Sequence, residues 1–132
     1  MGHLLEKLLH ILMVEDNQGD VLLTEEALLD GNINFTMDSV NHGEAAIEYF
    51  ENVKKGNKSL PDLVLMDINL PRINGHEVIA FLRNDSAFKN VPIFIISSSS
   101  APADMEKSKP FIQHYLTKPL DLEEFFKGLD KI

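Results

Sequence analysis

The sequence predicts an α/β domain built on a five-stranded parallel sheet, with a helix after each strand. Two observations predict it. Short apolar runs bounded by turn residues recur along the chain, Ile11–Val14, Leu63–Met66 and Val91–Ile96 being the clearest, as strands buried on both faces require. Segments with apolar residues at helical spacing alternate with them, which is the pattern of successive βα units. Short connections leave no room for a second unit, so residues 1–132 are expected to form one domain.

The first strand, Ile11–Val14 with a start as early as Leu8, ends in Glu15-Asp16-Asn17. A helix capped near Asp20 follows, with Val21, Leu22, Leu23, Ala27, Leu28 and Leu29 as its apolar face and Gly31-Asn32 as its stop. Phe35–Val40 has the mixed polarity of an edge strand, and Gly43 opens a helix carrying Ala45, Ala46, Ile47, Tyr49, Phe50 and Val53. Lys54 to Ser59 reads as a solvated basic loop. The third strand, Leu63–Met66, delivers Asp67, and Gly75 opens a helix with Val78, Ile79, Phe81 and Leu82 inward. Val91–Ile96 is the fourth strand, with Pro92 tolerable near its start. Ala103 to Lys109 predicts a short helix stopped by Pro110, because an interior proline costs about 3 kcal/mol. Phe111–Leu116 is the fifth strand. The last helix spans Asp121 to Lys131, capped by Asp121, with Leu122, Phe125, Phe126 and Leu129 inward.

Composition narrows the function. A net charge of −9 and an isoelectric point near 4.9 argue against direct nucleic-acid binding and suit a divalent cation or a basic partner. The chain has no cysteine, so thiol and disulfide chemistry are excluded. No apolar run approaches ~18 residues, and the start lacks a basic segment and cleavage site, so a cytoplasmic protein without a membrane span is expected. The five histidines stand at positions 3, 10, 42, 76 and 114, with no pair at helical metal spacing. His10 reads as a strand residue and His76 as a surface helix residue.

In a parallel sheet of this kind, the residues just beyond each strand gather at one edge, where open α/β folds bind their ligands. Here they are Glu15 and Asp16, Asp67, Ser97 and Lys118. Taken singly, each has a bland explanation: an acid pair caps a helix, a lone Asp makes a turn, and Thr117-Lys118-Pro119 is a common tripeptide. Together they converge three carboxylates that repel one another unless a cation or proton intervenes. Hard oxygen ligands suit Mg²⁺, and a Lys with a hydroxyl can hold the oxygens of a phosphoryl group.

Val14-Glu15-Asp16-Asn17, Leu65-Met66-Asp67-Ile68-Asn69-Leu70-Pro71 with Gly75, Ile96-Ser97 and Thr117-Lys118-Pro119 together resemble the receiver domain of two-component response regulators, across the chain from about Leu8 to Lys131. Glu15 to Asp20 and Leu82 to Pro92 resemble the stand-alone regulators that partner phytochrome-like and hybrid sensor kinases. The resemblance implies a flavodoxin-like (βα)5 receiver fold with strand order 2-1-3-4-5, the order known for such receivers. It implies Asp67 as phosphoacceptor, with Mg²⁺ held by the carboxylates of Asp16 and Asp67, the backbone carbonyl of Asn69, and Glu15 through water. Lys118 would pair with one phosphoryl oxygen and Ser97 would turn in to another. Pro119 would sit in a cis peptide bond that aims Lys118. Asn69 and Ser99 fall at positions that tune hydrolysis of the acyl phosphate, and Tyr115 at the aromatic switch position.

The donor implied is a phosphohistidine on a sensor histidine kinase or phosphotransfer protein, and the output a change in protein–protein contacts, with a homodimer compatible. Apart from its own dephosphorylation, the chain would not be an enzyme. No DNA-binding output domain is expected after Ile132. The segment Met105 to Phe111 departs from the family pattern and predicts a short or irregular fourth helix. The rival reading is a phosphorylation-independent pseudo-receiver, a binding module, against which the intact Glu15, Asp16, Asp67, Ser97 and Lys118 weigh. A flavin-binding protein lacks its phosphate-cradling loop here. An aspartyl-phosphate phosphatase would need an acid where Asn69 stands.

Overall fold

The computed structural model describes residues 7–98 and 101–132. These residues form a parallel sheet of β1 (Leu9–Val14), β2 (Phe35–Val40), β3 (Leu63–Met66), β4 (Ile93–Ser97) and β5 (His114–Thr117) in the order β2-β1-β3-β4-β5. The helices are α1 (Gln18–Asp30), α2 (Gly43–Lys54), α3 (Gly75–Arg83), α4 (Pro102–Ser108) and α5 (Leu122–Leu129). The fold class and strand order expected from the sequence are those observed.

The strands are apolar throughout because successive side chains point to opposite faces, and both faces are covered. From β1, Leu12 and Val14 join Phe50, Val64, Met66, Val78, Leu82 and Ile95 on the side of α2 and α3. Ile11 and Met13 join Leu28, Leu65, Phe94, Ile96, Phe125 and Leu129 on the side of α1 and α5. Each such buried side chain contributes roughly 1.5–3 kcal/mol. Edge-on aromatic pairs lock the two layers: Phe50 with Phe88 at 5.0 Å between centroids, and Phe94 with Phe125 at 5.7 Å.

Several local expectations are corrected. The cap of α1 is Asn17, whose side chain accepts from the Asp20 amide at 3.0 Å, so Asp20 is free for another role. Leu22, Leu23 and Leu29 point outward, at 54%, 57% and 63% exposure, whereas Val21, Thr24 and Leu28 are buried. Positions 21, 24 and 28 share one helical face; three consecutive residues cannot. Val91 and Pro92 precede β4, and Ser97 is its last residue rather than the first of the loop. Phe111 belongs to a 3-10 turn, Lys109–Phe111, and is half exposed; β5 starts later and includes Thr117. Pro110 sits inside that turn, and α4 is short, as expected.

The loop after α2 is tied down: Lys54 pairs with Asp85 at 2.9 Å, and the Lys58 ammonium lies 5.1 Å over the Tyr49 ring. His76 is not a surface residue. Its side chain is 14% exposed and bridges α3 to α4 through Ser108 Oγ at 3.4 Å and Asp104 at 3.7 Å. His42 caps α2, its Nδ1 accepting from the Ala45 amide at 3.1 Å.

The turn from β3 into α3 passes close to the strand end. A Cβ placed on Gly75 would lie 2.3 Å from the Asp67 carbonyl oxygen and 2.6 Å from Ile68 Cα, so only glycine fits. Opposite it, Asn74 and Glu77 form a capping box that fixes the start of α3. Gly75→Ala is therefore expected to destabilise the fold by about 2–3 kcal/mol in urea unfolding, since the backbone at Asp67 must move. A loss below about 0.5 kcal/mol would contradict the close approach.

Candidate functional site

The sheet register builds the site. Val14 is level with Met66, Met66 with Ile95, and Ser97 with Thr117. Glu15, Asp67, Ser97 and Lys118 therefore arrive side by side at the carboxyl edge. The backbone ladder continues one residue further at three of these positions. The Glu15 amide donates to the Val40 carbonyl at 3.0 Å, that of Asp67 to Val14 at 3.0 Å, and that of Lys118 to Ser97 at 2.8 Å. The functional side chains thus hang from hydrogen-bonded backbone rather than from mobile loop.

Among the described residues, Glu15, Asp16 and Asp67 each bring a carboxylate oxygen within 4.8 Å of the others. Glu15 and Asp67 are buried, at 1% and 3% exposure, and Asp16 is exposed at the mouth. The Lys118 ammonium lies 2.5 Å from Glu15 Oε1, 2.9 Å from Asp20 and 3.3 Å from Asp67 Oδ2. Its approach to Glu15 Oε1 is the shortest of the three and pairs this buried oxygen with the ammonium. Glu15 Oε2 accepts from the Asn17 amide at 3.2 Å, and Asp67 Oδ1 from the Asn69 amide at 3.0 Å. Ser97, fully buried, accepts from the Asn69 side-chain amide at 3.2 Å. The Lys118–Pro119 peptide bond is cis.

Electrostatics follow from this crowding. Burial pushes the Glu15 carboxyl up to about 7; the ion pair with Lys118 opposes that rise, and neighbouring Asp67 adds to it. For Lys118, burial acts to lower the pKa, but the contacts with Glu15 and Asp20 outweigh it and hold the ammonium protonated well above its ordinary range. One cation faces more negative charge than it can balance. The purely oxygen donor set of Glu15, Asp16 and Asp67 fits a hard divalent cation.

Most of the residues expected from the sequence thus come together: Glu15, Asp16, Asp67, Asn69, Ser97 and Lys118. Tyr115 is half-buried on β5 and packs against the α2–α3 side of the core. Ser99 lies outside the described residues. Sequence reasoning missed Asp20 as a partner of Lys118. The signal was present, since Asn17 is itself a strong cap residue and leaves the acid at the third helical position unassigned. It also missed the bond from Asn69 to Ser97, which spans two strands and leaves no trace in either motif.

The profile of the response regulator receiver domain matches residues 11–130, and the chain belongs to that family. The family consists of signalling modules rather than substrate-converting enzymes. Response regulator Rcp1 of Synechocystis sp. is 31% identical over 124 residues, covering 92% of this chain and 84% of Rcp1. The probable methanogenesis regulatory protein FilR2 of Methanothrix harundinacea is 28% identical over 123 residues, covering 92% of this chain and 79% of FilR2. Among solved structures, the phosphorylated cyanobacterial phytochrome response regulator RcpA has a TM-score of 0.77 at 32% identity, over 92% of this chain and 88% of its own. The Mn²⁺-bound form of Rcp1 has a TM-score of 0.76 at 30% identity, over 90% and 87%. Among the described residues no helix is long and apolar enough to cross a membrane.

The raised Glu15 pKa has a definite consequence without metal. Between the ordinary value of 4.5 and about 7 the folded state keeps a proton that the unfolded chain has released, so this side chain costs stability as pH rises through that window. The His76 and His114 pKa values, lowered chiefly by burial, act in the opposite sense below 6.5, and comparison with Glu15→Gln removes them. In metal-free buffer Glu15→Gln is expected to unfold later in urea than the unsubstituted protein at pH 8, by on the order of 1–3 kcal/mol, with the gain gone at pH 4.5. A loss of stability at pH 8 would contradict the assignment.

Proposed function

We propose that the chain accepts a phosphoryl group on Asp67 from the phosphohistidine of a sensor histidine kinase or phosphotransfer protein, in the cytoplasm, as a single receiver domain. The observation that carries this reading is the grouping of the buried Asp67 carboxylate with the Lys118 ammonium and two further carboxylates. An Asp67 oxygen attacks phosphorus, the phosphorus–nitrogen bond of the donor breaks, and the imidazole leaves with its electron pair. The product is an acyl phosphate.

Mg²⁺ would be held by the carboxylates of Asp16 and Asp67 and the Asn69 backbone carbonyl, with Glu15 acting through water. When bound, it neutralises charge on the oxygens in transfer. Lys118, already within reach of Asp67, pairs with one phosphoryl oxygen. Ser97 leaves the Asn69 side chain and donates its hydroxyl to another, and Tyr115 on β5 turns inward as Ser97 moves. Asn69 and Ser99 set how readily water reaches the acyl phosphate. Exposed Leu22 and Leu23 support docking of a protein donor. Leu23 lines a mostly apolar cavity of about 290 Å³ that reaches Lys118 and Pro119. Output passes through altered protein contacts, a homodimer among them. The complete set of polar residues weighs against a phosphorylation-independent binding module.

Incubation with Mg²⁺ and acetyl phosphate, followed by intact mass, tests this function. One added phosphoryl group is expected on the unsubstituted protein and none on Asp67→Asn. No adduct, or one that persists in Asp67→Asn, would overturn the reading.

A further inference from the structure

Asp20 is the one carboxylate at this edge to which neither the strand ends nor the receiver resemblance gives a task. Its Oδ2 lies 2.9 Å from Lys118 Nζ, in a hydrogen bond longer than the ammonium's 2.5 Å approach to Glu15 and shorter than its 3.3 Å contact to Asp67. Asp20 stands outside the Glu15–Asp16–Asp67 group whose oxygens can share one cation. Its backbone is fixed by the α1 cap, the amide donating to Asn17 Oδ1 at 3.0 Å. A carboxylate in the first turn of a helix is favoured by the axial dipole, so its charge is held there at little cost. Asp20 is half-buried, Lys118 is mostly buried at 16% side-chain exposure, and the two are 98 residues apart in sequence.

We infer that Asp20 is a positioning residue: it anchors Lys118 toward α1 in the unphosphorylated protein, limiting the ammonium's hold on Asp67 and leaving the Asp67 oxygens to the divalent cation. This inference rests on the proposed cation site. Lys118 and a divalent cation compete for the same two carboxylates, and two positive charges a few ångströms apart repel strongly in a buried setting. A third carboxylate bonded to the same ammonium offsets that repulsion and helps fix where the ammonium sits. Lys118 then has a short path from Asp20 to a phosphoryl oxygen on Asp67, since it already touches both acids. Simple charge would act the same whether or not Lys118 is present; positioning acts only through Lys118.

That difference defines the test, a double-mutant cycle on Mg²⁺ affinity of the unphosphorylated full chain, measured by calorimetry. Asp20→Asn is expected to weaken Mg²⁺ binding roughly three- to tenfold when Lys118 is present, and less than about twofold in Lys118→Met. Asp20→Glu, which keeps the charge and can still reach Nζ, should stay within about twofold of the unsubstituted protein, and it serves as the readout if Asp20→Asn does not fold. Equal losses in both lysine backgrounds, no loss in either, or a large loss in folded Asp20→Glu would overturn the inference. An unsubstituted protein that binds no Mg²⁺ would remove the cation site and this inference together, whereas binding with an additive cycle removes this inference alone.

Discussion

Among the described residues, three carboxylates, Glu15, Asp20 and Asp67, meet the Lys118 ammonium at the carboxyl edge of the sheet, with Asp16 beside two of them, and the site's electrostatics follow from that charge imbalance. Charges of one sign held this close in a buried pocket are tolerated only with a proton, a cation or both. Without metal the strain shows as a Glu15 carboxyl that holds its proton to near neutrality. On the function proposed, a divalent cation would relieve it, and a phosphoryl group arriving on Asp67 would reopen the contest for Lys118. The same imbalance that makes the metal-free edge uncomfortable makes it receptive.

The scaffold exists to hold that imbalance in register. Two apolar layers clamp the central strands so that Val14, Met66 and Ile95 stay level, and the ladder extends through Glu15, Asp67 and Lys118. Gly75 lets the following helix start against the Asp67 carbonyl, so β3 and α3 are packed in direct contact at this end. His76, the next residue, reaches Ser108 and Asp104 on α4. A shift at the strand ends thus has a packed route to the short α4 and to the half-exposed Phe111 beyond it.

Much of this was legible in the residues. Continuous apolar runs revealed β1, β3 and β4 because both their faces are buried, and the acids after β1 and β3, Ser97 at the end of β4 and Lys118 after β5 marked one sheet edge by position. Edge strand β5 was harder: Phe111 to Ile112 are as apolar as a strand, yet Pro110 and the Arg83 guanidinium, donating to the Phe111 carbonyl at 2.9 Å, hold that stretch as a turn. On α1 a run of leucines hid the true inward face, in which Thr24 replaces a hydrophobe. Asp20 was taken for a cap because its contact with Lys118 depends on tertiary approach across the whole chain. His76 read as a surface residue because its partners lie on an irregular helix that periodicity barely registers.

The claim on which the account depends is that Asp67, among four clustered acids, is the one that takes the phosphoryl group. Borohydride reduction after treatment with Mg²⁺ and acetyl phosphate, followed by tandem mass spectrometry of the peptide digest, reads the acceptor directly, because an acyl phosphate is reduced to the alcohol at the residue that carried it. The account predicts homoserine at position 67 and intact aspartate at positions 16 and 20. Reduction at Asp16 or Asp20 with Asp67 unchanged would contradict it.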